Sequence, residues 1–135
     1  MKVHILYYDY YEDSYIQGVY SEEGKKRKNA EFLSLARKHY KILVDKLTFQ
    51  LLEQKQERKP YAQEYEKICI KLREDKSSKE LKELKKELSK QIKTYDSIIT
   101  SLESQIHKYS SNDEIILQLY LDDQNLLWIT EEVLD

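Results

Sequence analysis

The chain has 135 residues, of which 36% are charged and 40% hydrophobic, with a net charge of -2, two Gly and one Pro. That composition excludes a collagen-like, loop-rich or disordered chain and favours long helices. A single cysteine, Cys69, excludes an internal disulfide and fits a reducing compartment, and no run of about 18 apolar residues could span a membrane. The opening Met1-Lys2-Val3-His4-Ile5-Leu6-Tyr7-Tyr8-Asp9 turns acidic too early for a signal peptide, so a cytoplasmic protein is expected.

The charge is segregated. Residues 1–23 hold one Lys against five carboxylates, and residues 110–135 hold seven carboxylates and no basic residue. Residues 24–59 hold 11 basic and 4 acidic residues. Acidic ends around a basic middle bear on partners and steering rather than on fold.

Lys2 to Tyr8 reads as a strand with Val3, Ile5 and Tyr7 on one face and His4, Leu6 and Tyr8 on the other. Both faces are apolar or aromatic, which suits a central strand. Tyr10 to Ser14 is expected to turn, and Tyr15 to Tyr20 to form a hairpin partner with Gly18 as a bulge or close-approach point. A helix follows from Ser21, which can cap it, with Glu22 and Glu23 at the positive end of its dipole. Gly24 weakens that first turn by about 1 kcal/mol against Ala. Leu33, Ala36, Tyr40, Leu43, Val44, Leu47 and Leu51 keep helical spacing. The pattern fades over residues 54–59, and Pro60 is expected to stop the helix or to restart it as a first-turn proline. The helical pieces are then about 21–58, 60–74 and 78–109.

The third piece carries the most regular series. Leu81, Leu84, Leu88, Ile92, Tyr95, Ile99, Leu102, Ile106 and Tyr109 recur every 3.5 residues on average, the period of a coiled-coil seam. Ser77 and Glu80 have the spacing of a capping box. The lengths fit an out-and-back hairpin. Its narrow stripes leave the seam from Leu81 to Leu102 expecting a partner, most simply a second copy of the chain.

Beyond the polar break at 110–114, Ile115, Leu117, Leu119 and Leu121 alternate with Ile116, Gln118 and Tyr120. The alternation favours a strand. The rival is a helix over residues 114–122 capped by Ser111-x-x-Glu114. Residues 122–125 make a turn, and Leu126 to Leu134 the last strand. The expected fold is α+β. Residues 1–20 and 114–135 form an antiparallel sheet of three or four strands, and residues 21–109 form an inserted antiparallel helical hairpin. A sheet that small needs one face covered. Phe32, Leu33, Leu35, Leu102 and Ile106 are the natural cover, with Trp128 in the contact.

Lys2-Val3-x-Ile5-Leu6-Tyr7, an acidic turn, Ile16-x-Gly18-Val19-Tyr20-Ser21-x-Glu23 and the closing Leu127-Trp128-Ile129-Thr130-Glu131-Glu132-Val133-Leu134-Asp135 resemble a small uncharacterised domain. That domain is common in phage and bacterial genomes. The resemblance spans roughly the first 35 and last 10 residues, and the long helical arm departs from it. It implies no activity and no site residues. It implies a phage or mobile-element accessory protein, of the kind that binds and blocks a host protein.

His4, His39, His107 and Cys69 share no metal-ligand spacing, and two glycines make no phosphate loop. No enzyme activity, metal or cofactor is expected. Two features point to binding. Lys25, Lys26, Arg27 and Lys28, followed by Arg37, Lys38 and Lys41, could hold phosphates on a ligand or on nucleic acid. The thin aromatic interleaving and negative total charge favour a solvated face instead. Tyr8, Asp9, Tyr10, Tyr11, Glu12, Asp13 and Tyr15 interleave rigid aromatic contact area with carboxylates, which suits docking to a basic protein surface. The expectation is a protein-binding module. The alternatives are an oligomer that captures a nucleotide-like anion and a nucleic-acid binder acting through its basic first helix.

Overall fold

The structure is a computed structural model that describes residues 1–10 and 13–133, Tyr10 by its backbone alone. In chain order the elements are β1 (Lys2–Tyr10), β2 (Asp13–Tyr20), α1 (Glu22–Glu74), α2 (Lys79–Tyr109), α3 (Asp113–Asp123) and β3 (Leu126–Glu132). The fold is α+β, with a three-stranded antiparallel sheet from the two chain ends and a helical hairpin between them. The chain divides into two compact units, Met1–Ile42 with Tyr109–Asp135, and Leu43–Lys108, and α1 contributes residues to both.

In the first unit the strand order is β2-β1-β3, so β1 is central as its two apolar faces suggest. β1 pairs with β2 from His4↔Tyr20 to Tyr10↔Asp13, and with β3 from Lys2↔Glu132 to Tyr8↔Leu126. Both hairpin strands run further into the tyrosine-acid tract than the sequence suggests. Pairing steps from Leu6↔Gly18 to Tyr7↔Ile16, which leaves Gln17 over as a bulge beside Gly18. A Cβ at Gly18 would sit 2.6 Å from the Tyr20 ring. Glycine there lets that ring lie along its own strand and meet Trp128 edge-on, with centroids 5.5 Å apart.

Ser21 caps α1 as expected, its hydroxyl accepting from the Gly24 amide at 3.1 Å. The core joins Leu6 of β1, Phe32 of α1 and Leu121 of α3, with Tyr20, Leu117, Tyr120, Leu126 and Trp128 packed around them. Trp128 belongs to this contact as expected, whereas Leu35 is half exposed.

Residues 114–121 are not a strand but most of α3. The cap is Asn112, one residue past Ser111, and its side chain accepts from the Ile115 amide. Ile115, Ile116, Leu117, Leu119, Tyr120 and Leu121 cover so much of a helix that a period of two appears inside it. Ile116 and Leu121 face inward, and Ile115 is 46% exposed. The helix closes with Asn125 at φ 57, the left-handed conformation asparagine tolerates after a helix end.

In the second unit α1 does not break at Pro60 but continues to Glu74. Contacts with α2 hold it on either side of the proline. The Arg58 side chain donates to Asp96 at 2.7 Å, and the rings of Tyr61 and Tyr95 lie 5.6 Å apart. Lys55 pairs with Glu103 at 3.8 Å in the same antiparallel sense. In the turn, Ser77 bonds back to Asp75, and the cap of α2 is Ser78, whose hydroxyl accepts from Leu81. The hydroxyl cap therefore lies one residue after the expected Ser77, and with Leu81 at the third helical position it is not the capping box expected with Glu80.

Candidate protein-interaction surface

Side chains alternate along β1. Leu6 faces the core, and His4 on the same side bonds to Glu22 of α1 and to Thr130 of β3. Val3, Ile5 and Tyr7 therefore lie on the opposite face. Their register partners on that face are Val19 and Ile16 from β2 and Ile129 and Leu127 from β3. Ile5, between Val19 and Ile129, is buried by its neighbours, but the flanking side chains are open. Ile16 is 60% exposed, Val19 59% and Leu127 47%.

The result is an apolar sheet face rimmed by carboxylates. Asp9 marks one end, where the Ser14 hydroxyl donates to it at 2.5 Å, and Glu131, paired with Val3, marks the other. A small sheet is stable with one face covered. Here α1 and α3 cover the His4–Leu6 side, so this second apolar face is surplus to the fold of a single chain. Exposed apolar patches of this kind mark interaction sites.

His4 fixes the sheet to the start of α1. Its Nε2 lies 2.6 Å from Glu22 Oε2 and its Nδ1 2.8 Å from Thr130 Oγ1, and the ring is buried. The hydrogen bond from His4 holds the Glu22 carboxyl below the usual carboxylate range, helped by the charges of His4, Lys26 and Lys25. In the core, burial and then the acceptor Asp123 push the Tyr40 hydroxyl well above the usual tyrosine range.

Of the tract expected to dock a partner, Asp9, Asp13 and Tyr15 are exposed along the hairpin, while Tyr8 lies half-buried on the covered side. Tyr10 pairs with Asp13 through its backbone, and Tyr11 and Glu12 lie outside the described residues. Of this tract, alternation puts Asp9 on the same face as Ile16, Val19, Leu127 and Ile129, which sequence reasoning did not single out as a surface. Their signal was the apolar character of both faces of β1, in a chain with cover for only one.

The candidate anion-binding residues do not act together. Lys25 lies over the Trp128 ring at 5.5 Å, and Lys26 pairs with Glu23. Lys28 pairs with Glu31 and lies over Phe32, and Arg37 pairs with Asp113. Arg27, Lys38 and Lys41 are exposed. The expected seam is half-buried at Leu81, Leu88, Ile92, Tyr95 and Ile99 and buried at Leu102, while Leu84 remains 51% exposed. Within the chain it meets α1, as the Tyr61–Tyr95 contact shows. Cys69 is half-buried. Among the described residues no three His, Cys, Asp or Glu side chains gather as a metal site, and no helix is long and apolar enough to cross a membrane. Comparison with protein-family models, with curated proteins and with solved structures finds no match to this chain.

Proposed function

We propose that the protein is a non-enzymatic interaction module that docks another protein on the open face of its sheet. The observation that carries this reading is the apolar face between Asp9 and Glu131, with Ile16, Val19, Leu127 and Ile129 exposed around half-buried Val3 and Tyr7 and buried Ile5. A partner that fits it has an apolar patch with basic groups at its edge. The carboxylates steer the encounter, and burial of the apolar centre holds the complex. Ser14, the register partner of Asp9, continues that end of the rim on the hairpin. The resemblance of the chain ends to a phage and bacterial domain supports an accessory protein that occupies a host protein's surface and so blocks it.

The test compares tagged wild type with a Val19→Lys/Leu127→Lys variant in the source cell. Wild type should recover one partner in stoichiometric amount, and the variant at least about tenfold less, as expected when a charge enters the centre of an interface. Circular dichroism should show both equally folded. Equal recovery would sink the reading. If light scattering instead finds a dimer that the variant dissolves, the occupant is a second copy of the chain.

A further inference from the structure

The helical unit holds a groove of about 610 Å³ between the later part of α1 and the first half of α2. Its floor is Tyr65 of α1 and Leu72 about two turns further along the same face. Six lysines line it: Lys76 from the turn, and Lys82, Lys85, Lys86, Lys90 and Lys93 from α2. Not one lining residue is acidic. Lys90 reaches Glu87 at 4.0 Å, and Lys85 lies over the Tyr65 ring at 5.9 Å. Among the described residues no ion pair engages Lys76, Lys82, Lys86 or Lys93.

Six like charges around one concavity repel each other, and the fold gains nothing from gathering them. An anionic ligand turns that repulsion into binding energy. Lys82, Lys86, Lys90 and Lys93 follow one face of α2 in steps of four, four and three residues. At 1.5 Å rise per residue, these lysine positions follow one another about 4.5–6 Å apart along the helix axis. That spacing suits a chain of linked phosphates, which lysine binds as a point charge. The face of Tyr65 and the side chain of Leu72 offer an apolar platform for a planar group. The volume lies in the usual range for small-ligand sites, roughly 300–1,000 Å³. A long single strand of nucleic acid fits less well. It needs a succession of stacking platforms, and Tyr65 is the one aromatic residue in the groove.

We infer that this groove binds a nucleoside polyphosphate, with its phosphates on the α2 lysines and its base against Tyr65 and Leu72. The site shares no residue with the sheet face or with the basic start of α1.

Isothermal titration of the full chain with ATP, inorganic triphosphate and a 20-nucleotide single-stranded DNA tests it. ATP should bind one per chain and weaken as salt rises, because the lysine heads are exposed. Lys86→Glu/Lys90→Glu should weaken ATP by at least about tenfold, two lost charge contacts of this kind being worth that much. Lys86→Gln/Lys90→Gln adds no negative charge beside Glu87 and should do the same with the helices intact by circular dichroism. Tyr65→Ala should weaken ATP several-fold and leave triphosphate unchanged. Lys25→Glu/Lys26→Glu should change neither. No heat with ATP, or equal ATP binding by the lysine variants, would overturn the inference. So would DNA binding far tighter than ATP, which would make the groove a nucleic-acid site.

Discussion

Trp128 donates its indole N–H to Oδ1 of Asn29 at 2.8 Å and so ties the last strand to the second turn of α1, 99 residues away in sequence. The same ring takes Tyr20 edge-on and carries the Lys25 ammonium over its face. Trp128→Phe keeps most of the packing and loses the bond, so it should cost about 1 kcal/mol. Trp128→Ala should cost about 2–4 kcal/mol, since the ring is half-buried rather than sealed. Urea unfolding followed by circular dichroism gives both values. Asn29→Ala combined with Trp128→Phe should cost little more than either alone. Fully additive losses would mean that the two residues do not share the bond.

At Gly18 in β2 an added methyl group meets a ring. An added Cβ would lie 2.6–2.8 Å from the outer atoms of Tyr20. The ring could swing away, but only by giving up Trp128. Gly18→Ala should therefore lower stability by about 1–3 kcal/mol, the usual cost of overpacking. Near-ultraviolet circular dichroism should weaken with it, because the Tyr20–Trp128 pair is chiral and fixed. In a Tyr20→Ala background the same substitution should be nearly neutral. A persistent cost there would place the strain in the backbone of the bulge.

Stability should fall at both ends of the pH scale for separate reasons. Tyr40 has its folded pKa raised by burial and by Asp123. The unfolded chain therefore loses this proton first, and the contribution of Tyr40, complete below about pH 10, is lost as pH rises beyond it. Tyr40→Phe should flatten the fall in Tm above about pH 10, where the unfolded chain's tyrosine begins to lose its proton. Glu22 has its folded pKa lowered, chiefly by the hydrogen bond from His4. Its contribution is present above the ordinary carboxyl range and is lost as pH falls through the folded value. Glu22→Gln should make the acid limb shallower. An unchanged limb would mean that other carboxylates set acid unfolding.

The sequence carries β1 and its place in the sheet plainly, because Val3, Ile5 and Tyr7 on one face and Leu6 on the other can both be apolar only in a central strand. It carries α2 as plainly, through a period of 3.5 sustained from Leu81 to Tyr109. It does not carry α3. Six of the seven residues from Ile115 to Leu121 are apolar, so both periods fit, and the deciding group is the Asn112 side chain, whose capping role depends on backbone conformation. The open face of the sheet was half legible. Its residues show in the alternation, but exposure depends on where α1 and α3 lie. The lysine groove was illegible for a related reason. Lys82, Lys86 and Lys90 read as a solvated helix face until Tyr65 and Leu72 of α1 are placed beside them.

Pro60 offers the sharpest test of how packing overrides a local signal. It removes one backbone donor from the interior of α1 and crowds the carbonyl four residues earlier, at a cost of about 3 kcal/mol in a regular helix. The side chain is exposed, so its replacement disturbs no core contact. Arg58–Asp96 and Tyr61–Tyr95 hold the helix together across it. Pro60→Ala should restore the donor and stabilise the helical unit by about 1–3 kcal/mol, with stronger ellipticity at 222 nm. Arg58→Ala should destabilise the natural chain more than the Pro60→Ala chain, because only the former relies on that ion pair to bridge a weak point. If Pro60→Ala raised neither Tm nor helicity, the helix would already be bent there enough to relieve the clash, and α2 would be packing against a kink.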